Sequence, residues 1–154
     1  MLVNCAFRVY RSMHTGLEDP SIIGGNLDHL AMFMAERAKG NVGMMVTGGV
    51  SPNIEGLTGA GAGMMASDDD AALHKVVTDA VHAEGGVIAM QILHTGRNGY
   101  HKNIVSSSTQ RSPISPLAPR MMSGNDILRT IDDFVSCATL ARKAGYDGKN
   151  AMFV

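Results

Sequence analysis

Short apolar runs alternate along this chain with longer segments in which apolar residues recur at helical spacing. The runs lie at Ala6–Tyr10, Val42–Val46 and Val87–Leu93. They have the length and composition of strands, and turn-forming glycines follow them. The pattern therefore predicts three strands, each separated from the next by a helical segment.

Three amphipathic segments predict helices. Asn26 or Asp28 can cap the first helix and Gly40 can end it; Ser67 and the acids after it begin the second; and the third runs from about Asn125 to Lys143. Glycines at positions 85, 86 and 145 end the second and third helices. The predicted apolar faces are, in chain order, Leu27, Leu30, Ala31, Met34 and Ala38; Leu73, Val76, Val77, Ala80 and Val81; and Ile127, Ile131, Phe134, Val135 and Ala138.

The element order is therefore βαβαβα, and "YDGKNAMFV" at the end begins a fourth strand. Such an order predicts right-handed crossovers and a parallel sheet, hence the α/β class, with residues 1–154 as one domain. Two closures fit: a doubly wound sheet, or part of a (β/α)8 barrel, which typically needs about 250 residues. Residues 106–120 read as a long loop over the carboxyl edge of the sheet.

Polar clusters lie after the first two predicted strands and on the carboxyl end of the third, where ligands of parallel α/β folds bind. They are "SMHTG" from Ser12, "TGG" from Thr47 and "QILHTGR" from Gln91. The first two clusters are also typical of ordinary turns, one with a solvated histidine and one with glycines at positive φ. Gln91 shares a strand face with apolar neighbours, so a satisfied structural amide and a ligand contact are equally good interpretations of it.

Composition narrows the function classes. The formal net charge is −1 and the 13 basic residues are scattered, which argues against nucleic acid or an anionic membrane as partner. Cys5 and Cys137 are isolated in the sequence, which favours a reduced, cytoplasmic setting. We expect neither a membrane span nor a signal peptide, because apolar runs are short and arginines interrupt the N-terminus.

Other chemical motifs are weak. The loop Gly59–Gly63 has the spacing G-A-G-A-G rather than G-x-G-x-x-G, so a nucleotide-binding turn is a minor alternative. The six histidines form no HExxH, and His74 and His82 stand eight residues apart, so we expect no metal site. There is no G-x-S-x-G motif, which argues against a hydrolase.

Four segments together resemble one family: "SMHTGLE" (12–18), "VTGGVSPN" (46–53), "VHAEGGVIAMQILHTGR" (81–97) and "ARKAGYDG" (141–148). In this order they are similar to the N-terminal part of the bacterial 2,4-dienoyl-CoA reductases, in the old yellow enzyme family of flavin-dependent oxidoreductases. The resemblance implies an incomplete (β/α)8 TIM barrel, with three βα units and the start of a fourth strand. It also implies FMN at the barrel mouth, hydride drawn ultimately from NADPH, and an enoyl or dienoyl thioester substrate of fatty acid β-oxidation.

The resemblance also implies roles for individual residues. Gln91 matches the glutamine that faces the flavin pyrimidine, because a primary amide both donates to a carbonyl and accepts from N3–H. The backbone of Ser12, Met13 and His14 would lie against the isoalloxazine, and Gly49 would let the ring approach closely. His94 and Arg97 match a further family motif in a supporting role. The iron-sulfur cluster and FAD of full-length members have no sites in this chain.

The chain departs from the family at both ends. It begins "LVNCAFRVYR" and ends "KNAMFV", without the family's tyrosine proton donor and its phosphate-binding loops. We therefore expect a truncated or frame-disrupted reading frame, inactive alone, with no catalytic residue. Two alternatives stay open: a non-catalytic remnant or assembly partner that self-associates through exposed sheet edges, and a small doubly wound nucleotide-binding domain.

Overall fold

A computed structural model describes residues 8–20 and 24–153. In chain order the elements are β1 (Val9–Tyr10), α1 (Asp28–Lys39), β2 (Met44–Val50), a 3₁₀ turn (Ile54–Gly56), α2 (Asp68–Ala83), β3 (Ile88–His94), a 3₁₀ turn (Gly96–Asn98), β4 (Val105–Ser106), β5 (Arg120–Met121), α3 (Gly124–Lys143) and β6 (Gly148–Phe153). All three predicted helices and the predicted fourth strand are present. The first two residues of the predicted strand one lie outside the described residues.

The main sheet has the order β1–β2–β3–β6, and every neighbouring pair is parallel. Helix α1 packs on α2, and α2 packs on α3, so consecutive helices lie side by side. Strands that follow one another in sequence order, each linked by a helix, are the arrangement of a (β/α)8 barrel. The topology therefore confirms the incomplete barrel and excludes the doubly wound alternative, in which the strand order reverses.

The core lies between the helices and the outer face of the sheet. Met45 and Ile88 from the sheet are fully buried with Leu30 and Met34 from α1. The whole predicted face of α1 is buried, as the periodicity indicates. Burying each such side chain contributes roughly 1.5–3 kcal/mol, which identifies this layer as the main source of stability.

Helix α2 begins as predicted and packs most of the predicted face against the core, with Val76 as the exception. The side chain of Ser67 accepts from the backbone N–H of Asp70, and the Asp70 carboxylate completes a capping box. Val77 and Val81 are fully buried, but Val76 is 39% exposed. His74 and Thr78 occupy buried positions as well, because both find hydrogen-bond partners inside: Tyr146 and the backbone of Ala144.

Only part of the predicted face of α3 is a core face: Phe134 and Ala138 are partly buried against the core, and the other three residues are exposed. Ile127, Ile131 and Val135 are 50–63% exposed. The residues that α3 buries are Asp126, Thr130, Cys137 and Ala141. The buried positions of α3 are therefore small or polar, while Ile127, Ile131 and Val135 lie outside.

The predicted end of strand two is too early, and the interpretation of "TGG" as a turn with glycines at positive φ is wrong. Strand β2 continues through Thr47, Gly48 and Gly49 to Val50, and neither glycine has positive φ. A register irregularity between Val46 and Gly49 accommodates them, so they bend the strand instead of turning it. The long loop also contains an unpredicted pair of short parallel strands, β4 and β5.

Each of the three helices is followed by a residue with left-handed backbone. Gly85 after α2 has φ 71° and Gly145 after α3 has φ 94°, as expected for glycines that stop helices. After α1, Gly40 stays right-handed and Asn41 takes the left-handed conformation, with φ 63°.

In the described part of the chain, no helix combines the length and apolarity that crossing a membrane requires.

Candidate functional site

The carboxyl ends of β1, β2 and β3 bring three predicted residues together. Gln91 pairs in register with Gly49 on one side and with Asn150 on the other. Ser12 Oγ donates to Gln91 Oε1 at 2.6 Å, and Gln91 Nε2 donates to Asn150 Oδ1 at 3.4 Å. The Gln91 side chain therefore lies at the mouth of the sheet and not against α2, as the barrel topology predicts.

Gln91 is nearly enclosed, with 8% of its surface exposed. Its carbonyl oxygen has a short hydrogen bond, whereas its amide nitrogen has one long one. A buried primary amide has two N–H donors and is costly to leave unpaired. The oxygen is therefore satisfied within the fold, while among the described residues only one of the two N–H donors has a partner, so the two interpretations are compatible.

Gly49 is glycine because there is no room for a side chain. A Cβ at this position would lie 2.7 Å from Cβ of Leu93, well inside van der Waals contact. Leu93 follows Gln91 by two residues and so lies on the same strand face. Gly49 therefore allows a close approach, and the group that approaches it in this structure is the side chain of Leu93.

The segment after β1 supplies the third side of the site. Met13 is 58% exposed, and His14 Nε2 lies 3.1 Å from Asp19 Oδ2. Gly16, with φ 80°, turns the chain back toward the sheet. His14 is thus paired in a structured turn and is not simply a solvated side chain. The flavin-contact role of Ser12, Met13 and His14 stays a prediction.

Sequence reasoning missed Glu18, which is fully buried beneath this segment. Glu18 Oε2 accepts from the backbone N–H and the hydroxyl of Thr15, and Oε1 accepts from the N–H of Gly48 at 3.1 Å. The available signal was the T-x-x-E spacing, because a hydroxyl residue and an acid three positions apart form reciprocal bonds to the backbone.

His94 ends β3 on the opposite strand face from Gln91. It is fully buried, its ring stacks on Phe153 with centroids 4.6 Å apart, and Gly96 N–H donates to its Nδ1. Burial lowers the pKa of His94, so the ring is neutral near pH 7. Nε2 has no hydrogen-bond partner among the described residues. The supporting role of His94 and Arg97 stays a prediction.

An ion-pair cluster joins the loop after β2 to the start of α3. Glu55 pairs with Arg120 and Arg129, and both arginines also pair with Asp126. Hydrogen bonds from Arg120 and Ser123 hold the pKa of Asp126 below its usual range. These groups are linked to one another, so the cluster is a structural tie between loops.

The minor alternatives find no geometric support. The loop Gly59–Gly63 ends before the Ser67 cap of α2, so it does not form the N-terminus of that helix. The N–H of Gly63 donates to Asp19. A phosphate-binding turn would need to lie at the helix N-terminus. Within the described ranges, no three His, Cys, Asp or Glu side chains are grouped as a metal would require.

Comparisons with known proteins agree with this architecture. Residues 3–152 match the NADH:flavin oxidoreductase / NADH oxidase family. The N,N-dimethylglycine/sarcosine dehydrogenase of Chromohalobacter salexigens is 31% identical over 132 residues, 81% of this chain and 19% of that protein. The old yellow enzyme homologue from Zymomonas mobilis superposes with a TM-score of 0.82 at 24% identity, covering 94% of this chain and 43% of that one.

The complex of a 2-naphthoyl-CoA reductase with 2-naphthoyl-CoA superposes with a TM-score of 0.80 at 25% identity. It is matched over 94% of this chain and 24% of its own length. The chain thus spans less than half of each of these three proteins. Because the family match extends over nearly the whole sequence, the chain belongs to the NADH:flavin oxidoreductase / NADH oxidase family.

Proposed function

We propose that this chain carries the pyrimidine-facing side of an FMN site in an old-yellow-enzyme-type oxidoreductase. The observation that carries the proposal is the Gln91 amide, enclosed at the sheet mouth between Ser12 and Asn150 and beside Gly49. A primary amide in a nearly closed site needs a polar partner that fits its edge.

The residues present fit a flavin. Ser12 Oγ holds the carbonyl oxygen of Gln91, which leaves an amide N–H to donate to a pyrimidine carbonyl. Gly48 and Gly49 let Glu18 and Leu93 pack tightly against the strand that borders this edge of the sheet. The backbone from Ser12 to His14 is held at the same edge of the sheet. These features match a flat ligand with alternating carbonyl and N–H groups.

The protein side of the reaction follows from these contacts. Bound FMN would supply hydride transfer to an electron-poor substrate. Gln91 would bind the pyrimidine edge and fix the face of the ring, and Ser12 would hold the amide in the orientation that donates. The turn from Met13 to Gly16 would keep water from that edge of the ring.

The substrate class we propose is an activated C=C bond conjugated to a thioester, as in an enoyl or dienoyl coenzyme A. The four motif segments support it, as does the name of the naphthoyl-CoA reductase among the similar structures. The name of the dimethylglycine/sarcosine dehydrogenase favours a second candidate, oxidation of an N-methyl amine. Binding of crotonyl-CoA or of sarcosine to a flavin-loaded sample, measured as a change in the absorption spectrum of the flavin, distinguishes the two.

We further propose that the 154-residue chain alone does not turn over either substrate. The resemblance assigns proton donation to a tyrosine that this sequence lacks, and general acid catalysis contributes roughly 10²–10⁴ in rate. The same resemblance assigns the FMN phosphate to segments that it also lacks. We place the protein in the cytoplasm on the grounds of its isolated cysteines.

The test is a fluorescence titration of FMN into the purified chain. We expect quenching by the wild type and at least about tenfold weaker binding by Gln91→Leu, which removes the amide. Gln110→Leu is the matched control, because Gln110 is exposed in the long loop. Equal affinities for all three proteins would reject the site. Turnover with NADPH and a dienoyl-CoA would reject the proposed inactivity.

An assembly role is the second candidate function, and one observation favours it. Strand β6 is an edge strand with an exposed face, and beside it Ile127, Ile131 and Val135 of α3 are exposed. Unpaired parallel edges and apolar surface promote association. We propose that the chain self-associates through this side. Interfaces worth about −5 kcal/mol form at concentrations of about 100 µM, so a monomer by light scattering at that concentration would reject the proposal.

A further inference from the structure

The geometry points to Glu18 as the positioning residue of the proposed flavin site, an inference that rests on the proposed function. Glu18 is fully buried and has no ion-pair partner among the described residues. A buried carboxylate is costly unless its oxygens are hydrogen-bonded. Here backbone N–H groups and one hydroxyl satisfy it, and these groups belong to the segments that border the site.

The hydrogen bonds of Glu18 join two segments that are distant in sequence. Oε2 accepts from Thr15 N at 3.0 Å and from Thr15 Oγ1 at 2.8 Å, which closes the turn after β1. Oε1 accepts from Gly48 N at 3.1 Å, in the bent part of β2. One carboxylate therefore fixes the Ser12–Gly16 turn relative to the strand that contains Gly49.

Close packing supports the same role. A Cβ at Gly48 would lie 2.6 Å from Glu18 Oε1 and 2.9 Å from His14 Cα, so the turn lies directly on the strand. A Cβ at Gly63 would collide with the backbone oxygen of Glu18. Two glycines thus make room for Glu18 and its backbone, and neither adopts positive φ.

Asp19, next to Glu18, makes similar contacts with the turn and with the loop that contains Gly63. Its Oδ1 accepts from Gly63 N at 3.0 Å, and its Oδ2 pairs with His14 Nε2. Adjacent carboxylates therefore hold His14 and Thr15 from below. The chemical consequence is preorganisation: the backbone that would face the flavin, and Ser12 that orients Gln91, are fixed before a ligand arrives.

The first experiment needs no flavin. Glu18→Gln keeps the shape of the side chain and replaces one acceptor oxygen by a donor, so it cannot accept from both Thr15 and Gly48. We expect at least about tenfold faster amide exchange at Thr15 and Gly48 and a shifted side-chain amide resonance for Gln91, with exchange of the α2 core unchanged. Unchanged rates and resonance would overturn the inference whether or not FMN binds.

The second experiment uses FMN. We expect Glu18→Gln to weaken FMN binding at least about tenfold and to shift the absorption band of the bound flavin, because the ring meets a displaced Ser12–Gln91 pair. Glu84→Gln is the matched control, since Glu84 is exposed at the far end of α2. A variant with normal affinity and spectrum would overturn the inference. A wild type that binds no FMN would instead reject the proposed function.

Discussion

Helices α2 and α3 have the same kind of N-terminal cap, but their apolar faces are buried to different extents. Each starts with a serine whose side chain accepts from an N–H three residues on, within a capping box closed by an aspartate. Yet Val77 of α2 is fully buried, whereas Val135 of α3 is 63% exposed. The comparison shows that local signals determine where a helix starts, while the neighbours of the helix determine which face is buried.

An open groove lies along the exposed apolar stripe of α3. Ile127, Ile131 and Val135 line it together with Phe134 and Phe153, and its volume is about 590 Å³. By contrast, α2 lies between α1 and α3 and has neighbours on both flanks. A middle helix of a barrel is covered by its own fold, and the helix at the end of the row keeps one flank exposed.

The largest expected effect lies on the α2 side and comes from pH. Burial lowers the pKa of His74 to about 4, below the ordinary 6.5, and its Nδ1 lies 2.8 Å from the hydroxyl of Tyr146. Between these values the unfolded chain binds a proton that the folded chain does not. Stability is therefore lost as pH falls from about 6.5 to about 4, by up to about 3 kcal/mol.

Urea unfolding at several pH values tests this prediction. His94 also has a lowered pKa, so part of the acid loss belongs to it. We expect His74→Gln to flatten the profile between pH 6.5 and 4 by most of its slope. If His74→Gln retained the full wild-type slope, the buried histidine of α2 would not be its source. Asp126 of α3 has a lowered pKa, so its contribution is lost only below about pH 4.

The next prediction compares matched valines. Val77→Ala removes buried methyl groups and leaves a cavity, at a cost of about 2 kcal/mol in the free energy of unfolding. Val135→Ala changes an exposed side chain and should stay within about 0.5 kcal/mol. Chemical denaturation of both variants beside the wild type gives the two values. Equal losses would mean that the α3 stripe is covered in solution.

This comparison also shows how far the sequence specifies the molecule. The βαβα order, the Ser67 cap of α2 and the buried face of α1 follow from periodicity and end signals, and they are observed. The predicted cap of α1 is wrong: Leu27 holds the N-cap position, and among the described residues Asn26 Oδ1 accepts only from the backbone N–H of Asp28. The face of α3 was not predictable in the same way, because Thr130 and Cys137 lie inward where the sequence shows no apolar stripe. Amphipathicity reports that a face tends to be covered and carries no information about the covering element.

At the site, the position of Gln91 followed from topology, because carboxyl ends of adjacent parallel strands meet. The burial of Glu18 did not, since a charged residue in a polar segment is ordinarily exposed. Its partners, Thr15 and Gly48, are 3 and 30 residues away, and the second contact exists only once the sheet has formed. Long-range hydrogen bonds of this kind are not visible in a single sequence.

The third prediction concerns what the two helices share. Ser67→Ala and Ser123→Ala each remove a side chain that accepts from a first-turn N–H, so each should cost about 1 kcal/mol. Caps act locally, and both are on helices with an aspartate at the third position. Denaturation midpoints of the two variants should therefore fall by similar amounts. A loss confined to Ser67→Ala would show that α3 is not stably formed at its start.

The smallest effect on stability is expected at the centre of the exposed stripe. Ile131 is 54% exposed, one turn from both Ile127 and Val135. Ile131→Lys places a charge in water on a residue type with good helix propensity, so the free energy of unfolding should change by less than about 0.5 kcal/mol. Met32→Lys on α1, at a site 71% exposed, is the matched control.

Self-association should respond differently: Ile131→Lys should weaken it, because a lysine in an apolar contact must be desolvated, while Met32→Lys should leave it unchanged. Sedimentation velocity over a concentration series, with unfolding measured at the most dilute point, separates the two effects. A destabilisation near 2 kcal/mol in the dilute sample would show that α3 buries its stripe within a single chain, and the contrast between the two helices would then be wrong.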